Sequence, residues 1–302
     1  MKISLGPVLY YWPRDVLFDF YARAAKWPVD CIYLGETVCS KRRALRTAEW
    51  IELAREMSKC GKQAVLSTLT LIEAESELSS MARLCDNGEL LVEANDMAAV
   101  HLLNEKHLPF TTGPAINIYN SRSLNYLQRL GLIRWTPPVE LPRSTLTLIL
   151  EEAEALGFGE RIETEIFAFG HMPLAYSARC FTARANNLPK DACEFECLKH
   201  PDGLAVYTQD NQRLLTLNGI QSQSGQVLNL IPEWKDMQEL GVQFLRLSPQ
   251  SQHMQEIIEH THAALRQGAT PNLSAYIEGE GCNGYWFGQA GHRLMESGHT
   301  TP

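Results

Sequence analysis

Short β-rich runs alternate with amphipathic helical stretches at intervals of roughly 20–30 residues through most of this chain, and that alternation leaves few folds open. The β-rich runs are residues 3–9, 31–34, 64–71, 90–92, 110–117, 133–135, 162–169 and 243–247, eight in all. Helical patterning covers 15–26, 47–60, 73–85, 96–106, 121–130, 143–156, 232–240 and 253–267. In the last of these Met254, Ile257, Ile258, Thr261 and Leu265 fall on one helical face, with His253 and His260 off that stripe. Eight parallel strands of this kind close most simply into an α/β fold of the (β/α)8, TIM-like type, with chemistry at the C-terminal ends of the strands. An open doubly wound sheet would advertise a phosphate-binding glycine loop after its first strand, and "ISLGPVLYYWPRD" has none.

One stretch breaks the rhythm. About 60 residues separate strand 7 from the next helix, including two short hairpin strands at 204–207 and 214–217. A span of this length is uncommon in a compact domain unless it is functional or ordered by something else. We therefore expect a barrel over residues 1–268, a long cysteine-bearing insertion after strand 7 at 170–230, and a C-terminal tail, 269–302, packing on the barrel or on a partner.

The insertion carries Cys180, Cys193 and Cys197, three of the chain's eight cysteines. The N-terminal segment reads as a first strand, not as a signal peptide, and no window approaches the apolar length of a membrane span, so a cytoplasmic location is expected. Thiols stay reduced there, and clustered cysteines more often hold a metal than form disulfides. "KDACEFECLKH" is too charged for a run of core thiols. The C-x12-C-x3-C spacing lacks the short paired knuckles of structural zinc and suits an iron–sulfur cluster better. A fourth ligand must come from elsewhere. Cys31 opens a strand, and Cys60 and Cys85 close helices, which places all three toward the opposite end of the barrel. Cys39, after strand 2, lies on the correct face, and topology also leaves Cys282 open. Lys41, Arg42, Arg43 and Arg46 follow Cys39 and would offset a cluster's negative charge, or form a solvated basic turn.

"EIFAFGHMPLAYSARC", residues 165–180, resembles the signature of the collagenase-like, U-type peptidase family: Glu165, Phe167, Gly170, Tyr176, Ser177 and Cys180 match, while Pro173 stands where a signature cysteine belongs and Ala178 replaces a glycine. The resemblance extends from "VDCIYLGE" to "CNGYWFGQAG". It implies an α/β barrel with a 4Fe-4S cluster, and the lost cysteine points to the family branch that recruits a distant fourth ligand, giving Cys39, Cys180, Cys193 and Cys197. That branch implies oxygen-independent hydroxylation of the aromatic ring of prenylated ubiquinone precursors. It implies as partners a UbiU-type paralogue in a heterodimer and a UbiT-type lipid-carrier protein, with prephenate as oxygen donor. Related members hydroxylate RNA bases, but 27 basic against 35 acidic side chains, a net charge of −8, opposes direct nucleic-acid binding. A non-catalytic iron–sulfur scaffold is the third reading.

No H-E-x-x-H helix and no G-x-S-x-G elbow supports proteolysis. "GEGCNG" matches a dinucleotide fingerprint formally, but too little chain follows it for the rest of that motif, and Tyr285, Trp286 and Phe287 beside it read as packing aromatics. Polar residues at strand ends are Glu36, Glu93, Asn117, Asn120, Glu140 and Glu165. Each could orient substrate by hydrogen bonding or cap a following helix; we expect substrate binding first of Glu36, Asn117 and Glu165, and assign none a catalytic role.

Overall fold

The computed structural model describes residues 1–268 and 271–296; the expectations for 269–270 and 297–302 of the tail lie outside the described residues. Strands β1 (Lys2–Leu5), β2 (Cys31–Leu34), β3 (Gln63–Ser67), β4 (Leu91–Ala94), β5 (Phe110–Thr112), β6 (Leu132–Trp135) and β7 (Glu163–Tyr176) run in parallel. Three strands of the insertion follow, β8 (Leu204–Tyr207), β9 (Arg213–Asn218) and β10 (Gln221–Asn229), before β11 (Phe244–Leu247) returns to the barrel. Because β11 pairs in parallel with both β7 and β1, the eight barrel strands close on themselves.

The helices are α1 (Arg14–Ala24), α2 (Thr47–Lys59), α3 (Glu75–Cys85), α4 (Met97–Glu105), α5 (Ser121–Arg129), α6 (Arg143–Ala155), α7 (Phe181–Ala185), α8 (Trp234–Glu239) and α9 (Met254–Gln267). Local chemistry sets several of their starts. The Asp96 side chain accepts from the Ala98 N–H at 2.7 Å to begin α4, and Asn120 accepts from Ser123 at 2.8 Å to begin α5. Among the described residues no helix is long and apolar enough to cross a membrane.

Strand alternation divides the core. Ile3, Leu5, Leu245 and Leu247 face outward and join one large apolar cluster with Leu17, Phe20, Leu53 and Met57 of the helices. Inside the barrel, Cys31, Tyr33, Val65 and Phe244 form a separate plug. The inward neighbours of that plug are polar: Ser4, Glu93, Arg134, Glu165 and Arg246, each at most 3% exposed. Barrel interiors are usually filled by branched apolar side chains, so this belt is a departure with consequences for the site.

The insertion differs from expectation. It is an extension of the sheet, not a long loop around a hairpin. β7 runs for 14 residues, beyond the usual barrel length, and β10 pairs antiparallel with its outer half, Leu228 opposite Gly170 and Gln221 opposite Tyr176. β9 pairs with β10, and β8 with β9. Strand β10 escapes sequence patterning because its buried positions are polar, with Gln221, Gln223 and Ser224 all at most 5% exposed. Irregular chain is confined mainly to 177–203, where the three cysteines lie. In the tail, β12 (Gly281–Cys282) pairs with β10, and Leu273, Cys282 and Trp286 enter the main core. Tyr285 and Phe287 pack against that core as well.

Candidate functional site

Two features share the C-terminal face of the barrel. The first is a space lined by Cys39, Cys180, Cys193 and Cys197, together with Lys41, Arg42, Phe195 and Gly219. The loop after β2 and the insertion after β7 supply these residues, so chain segments far apart in sequence meet there. All four cysteines are free and partly buried.

Each cysteine is placed by specific contacts. Glu36 accepts from the backbone N–H groups of Val38 and Cys39, both at 3.0 Å, and so shapes the turn that carries Cys39. Cys180 caps the short α7, its sulfur accepting from the Ala183 N–H at 3.4 Å. Between Cys193 and Cys197, Glu194 and Phe195 both adopt left-handed backbone, φ 50° and 53°. For non-glycine residues that costs on the order of 1–3 kcal/mol each, and such strain persists where surrounding structure over-determines it. The Phe195 ring packs on Tyr11 at 5.7 Å between centroids.

Arg42 organises the charge. It is 3% exposed and donates to the Leu9 carbonyl at 2.7 Å and to Asn218 Oδ1 at 2.6 Å, with Glu36 at 3.7 Å. Burial pushes the thiols of Cys39 and Cys197 up, and the Arg42 guanidinium opposes that by favouring thiolates. Lys41 bridges from the same loop to the insertion, donating to the Lys190 carbonyl at 2.9 Å and to Asp191 at 2.7 Å. Gly219, at φ +65°, lies in the turn between β9 and β10, and its missing side chain leaves room for Arg42, whose Nη2 would stand 3.0 Å from an added Cβ.

Among the described residues no three or more His, Cys, Asp or Glu side chains converge as the ligands of one metal ion would. The four thiols instead surround a space, beside two cations. Four soft sulfur donors distributed around a volume suit a polynuclear iron–sulfur group, in which each thiolate binds its own iron. The remaining cysteines are elsewhere. Cys31 lies in the barrel plug, Cys60 is exposed and Cys85 is buried among helices. Cys282, left open by topology, is fully buried in the main core, where burial pushes its thiol up to about 12.

The second feature is a small cavity of about 30 Å³ at the barrel mouth, lined in part by Pro7, Leu9, Glu93, Asn95, Tyr176 and Arg246. Its floor is the polar belt. Arg246 donates to Glu93 at 2.6 Å and to Glu165 at 2.9 Å, and stacks over the Tyr33 ring at 4.1 Å. Ser67 donates to the other Glu93 oxygen at 2.7 Å. Glu165 also accepts from Ser4 and, at 2.5 Å, from Tyr33. Burial pushes the Glu165 carboxyl up, but Arg246, together with Arg134 and the Ser4 hydroxyl, more than offsets it and holds the group below the usual carboxylate range.

Only part of the polar set read from the sequence meets here. Glu165 sits inside the barrel beyond Arg246 and does not line the cavity. Glu36 belongs to the cysteine side. Asn117 is exposed in a neighbouring groove. Asn120 caps α5, and Glu140 accepts from Tyr119 at 2.6 Å near the surface. Glu93 does line the cavity, and Asn95 and Arg246 were missed. The available signal was a charged residue in mid-strand, as in "FLRL" and "LVEA", which a barrel can bury only as a pair.

A small apolar cluster adjoins both features. Leu9 lines the mouth cavity and packs with Val38 and Ile220 against Cys39 and Cys180.

Comparison with known proteins adds the following. The family model described as peptidase family U32 matches residues 19–270. Among solved structures, the U32 peptidase Mk0906 is similar at a TM-score of 0.43 and 13% identity, over 83% of this chain and 94% of that one. Dihydropteroate synthase (FolP) from Thermus thermophilus aligns at 0.43 and 11% identity, over 87% and 94% of the two chains. A mandelate racemase/muconate lactonizing protein from Paracoccus denitrificans aligns at 0.37 and 15%, over 56% and 48%.

Proposed function

The chain belongs to peptidase family U32, and from that membership we propose that it is the iron–sulfur subunit of an oxygen-independent hydroxylase resembling the ubiquinone biosynthesis protein UbiV. In this reading it acts on the aromatic ring of prenylated ubiquinone precursors, in a heterodimer with a UbiU-type paralogue, with a UbiT-type carrier presenting substrate and prephenate as oxygen donor. The observation that carries it is the meeting of Cys39 with Cys180, Cys193 and Cys197 around one space. A proteolytic role draws no support from the mouth cavity, whose lining includes no histidine to activate a nucleophile.

The four cysteines would hold a 4Fe-4S cluster, and such a cluster supplies one-electron chemistry when bound. The chain's own residues do the rest. Arg42 and Lys41 set positive charge beside the thiolates, Glu36 fixes the turn bearing Cys39, and Leu9, Val38 and Ile220 pack against Cys39 and Cys180.

Anaerobically purified protein should be brown, with about four irons and four sulfides per chain and the matching EPR signal on reduction. Cys39→Ala should lose the cluster as fully as Cys180→Ala, whereas Cys31→Ala, Cys60→Ala, Cys85→Ala and Cys282→Ala should keep it. Colourless protein with stoichiometric zinc, or an intact cluster in Cys39→Ala, would refute the assignment. Co-expression with the UbiU-type paralogue should give a stable heterodimer. A salt-sensitive complex with RNA would instead favour base hydroxylation.

A further inference from the structure

The segment that carries Cys193 and Cys197 presents apolar surface to solvent. Phe195 and Leu198 flank Cys197 and are each 41% exposed. Phe195 also lines the cysteine space, so one ring borders both the thiols and the solvent. Its backbone is left-handed and its ring rests on Tyr11. Strain and exposure in the same aromatic residue are not what core packing produces, and both are features of contact sites.

The charge around this surface is mostly of one sign. Residues 39–46 and 177–200 carry eight Lys and Arg against three Asp and Glu, in a chain with 27 against 35. Part of that charge is paired: Lys41 with Asp191, Lys190 with Glu73, Lys199 with Glu196 and Arg42 with Glu36. Arg46 shares Glu49 with Arg14. What is left over is arginine. Arg43, Arg179 and Arg184 are exposed and have no carboxylate partner among the described residues, with Glu194 alone on the acidic side. Each of the three lies within four residues of Cys39 or Cys180.

We propose that this face docks a small acidic one-electron-carrier protein, Phe195 and Leu198 forming the apolar centre of the contact and Arg43, Arg179 and Arg184 its charged rim. The assignment rests on the iron–sulfur reading of the cysteines and adds the partner that would serve it: the reduced carrier loses one electron, the iron–sulfur group gains it, and no bond forms. Two apolar side chains ringed by arginines suit the small, weak interfaces of redox encounters. RNA fits less well, because single strands bind through open aromatic faces along a basic track, and one side of the Phe195 ring is taken by Tyr11.

Titration of isotope-labelled flavodoxin, an acidic carrier, with the full chain tests this, read by NMR line broadening at about 50 and about 300 mM NaCl. Binding should weaken at least about tenfold at the higher salt. Arg179→Glu combined with Arg184→Glu should weaken it at least about tenfold at low salt, and Leu198→Asp by about three- to tenfold, with circular dichroism unchanged. Cytochrome c, a basic carrier, should bind at least about tenfold more weakly than flavodoxin. Equal binding of the two carriers, or full affinity in both variants, would overturn the proposal, as would a single-stranded RNA oligomer that binds more tightly than flavodoxin and loses affinity in the same variants. Iron and sulfide are counted on the same sample. Selective flavodoxin binding to colourless protein upholds the surface and refutes the cluster, whereas brown protein that binds no flavodoxin, or binds it and exchanges no electron with it, refutes the carrier site alone.

Discussion

Replacing Arg246 with methionine tests the polar belt most directly. The guanidinium is 3% exposed and is shared by Glu93 at 2.6 Å and Glu165 at 2.9 Å, both at most 1% exposed. Removing one member of a buried ion pair costs on the order of 3–5 kcal/mol because the other charge is stranded. Here two carboxylates lose their cation, and the expected loss is at the upper end of that range. The carboxylates would respond by taking up protons. Their folded pKa values would then rise above the unfolded value, so the folded variant would bind more protons than the unfolded chain. Stability of Arg246→Met should therefore fall as pH rises through neutrality and recover toward about pH 5, a slope that the parent protein lacks. Urea melts followed by tryptophan fluorescence at several pH values read this out. The triple variant Arg246→Met, Glu93→Gln, Glu165→Gln should regain much of the loss, since it strands no charge. A single variant within about 1 kcal/mol of the parent at pH 7, or a triple variant no more stable than the single, would refute the view that Arg246 exists to balance two buried carboxylates.

Two further outcomes follow from other contacts. His171, buried with Nδ1 at 2.9 Å from the Ser224 carbonyl and Nε2 at 3.5 Å from Arg213, has its pKa lowered to about 4 by burial and then by Arg213. The unfolded chain binds the proton first, so stability should fall as pH drops from about 6.5 to about 4, by about 3 kcal/mol in all, and His171→Gln should flatten that part of the profile. At Gly219, alanine would meet both a left-handed backbone and Arg42 Nη2, 3.0 Å from the new Cβ, and should cost about 1–2 kcal/mol in a denaturant melt. Gly219→Asn should cost less on the backbone side because asparagine tolerates that conformation.

The barrel strands were legible because their outward faces are apolar and recur at regular intervals. Cys31–Leu34 matches its strand residue for residue, and the hairpin strand Leu204–Tyr207 does so too. What escaped was structure whose buried face is polar. In β10 the hidden residues Gln221, Gln223 and Ser224 look like a loop in sequence, yet their backbone groups are satisfied by β7 and β9. Arg246 escaped, and Glu93 was read only as a strand-end polar residue, for a related reason: each is intelligible inside a barrel only once the other is placed beside it, and strands β4 and β11 lie 153 residues apart at that contact. Cys39 was within reach of the sequence because helix-loop order assigns it an end of the barrel, and topology needs no side-chain pairing to do so.

The same distinction explains why the thiols and the mouth sit so close. Leu9, just beyond β1, is held from both sides: its carbonyl accepts from Arg42 at 2.7 Å and from the Asn218 amide at 2.7 Å. Arg42 comes from the loop after β2 and Asn218 from the end of β9, so one backbone oxygen ties the barrel, the Cys39 loop and the insertion together. The insertion's strands have their own backbone ladder, β10 pairing with both β7 and β9. The insertion's placement over the barrel mouth depends on this junction. A neutral, shorter side chain at Arg42 would leave the sheet extension intact while loosening the alignment of Cys180, Cys193 and Cys197 with Cys39. The geometry of the four thiols thus rests on one buried cation, as the belt beneath the mouth rests on another.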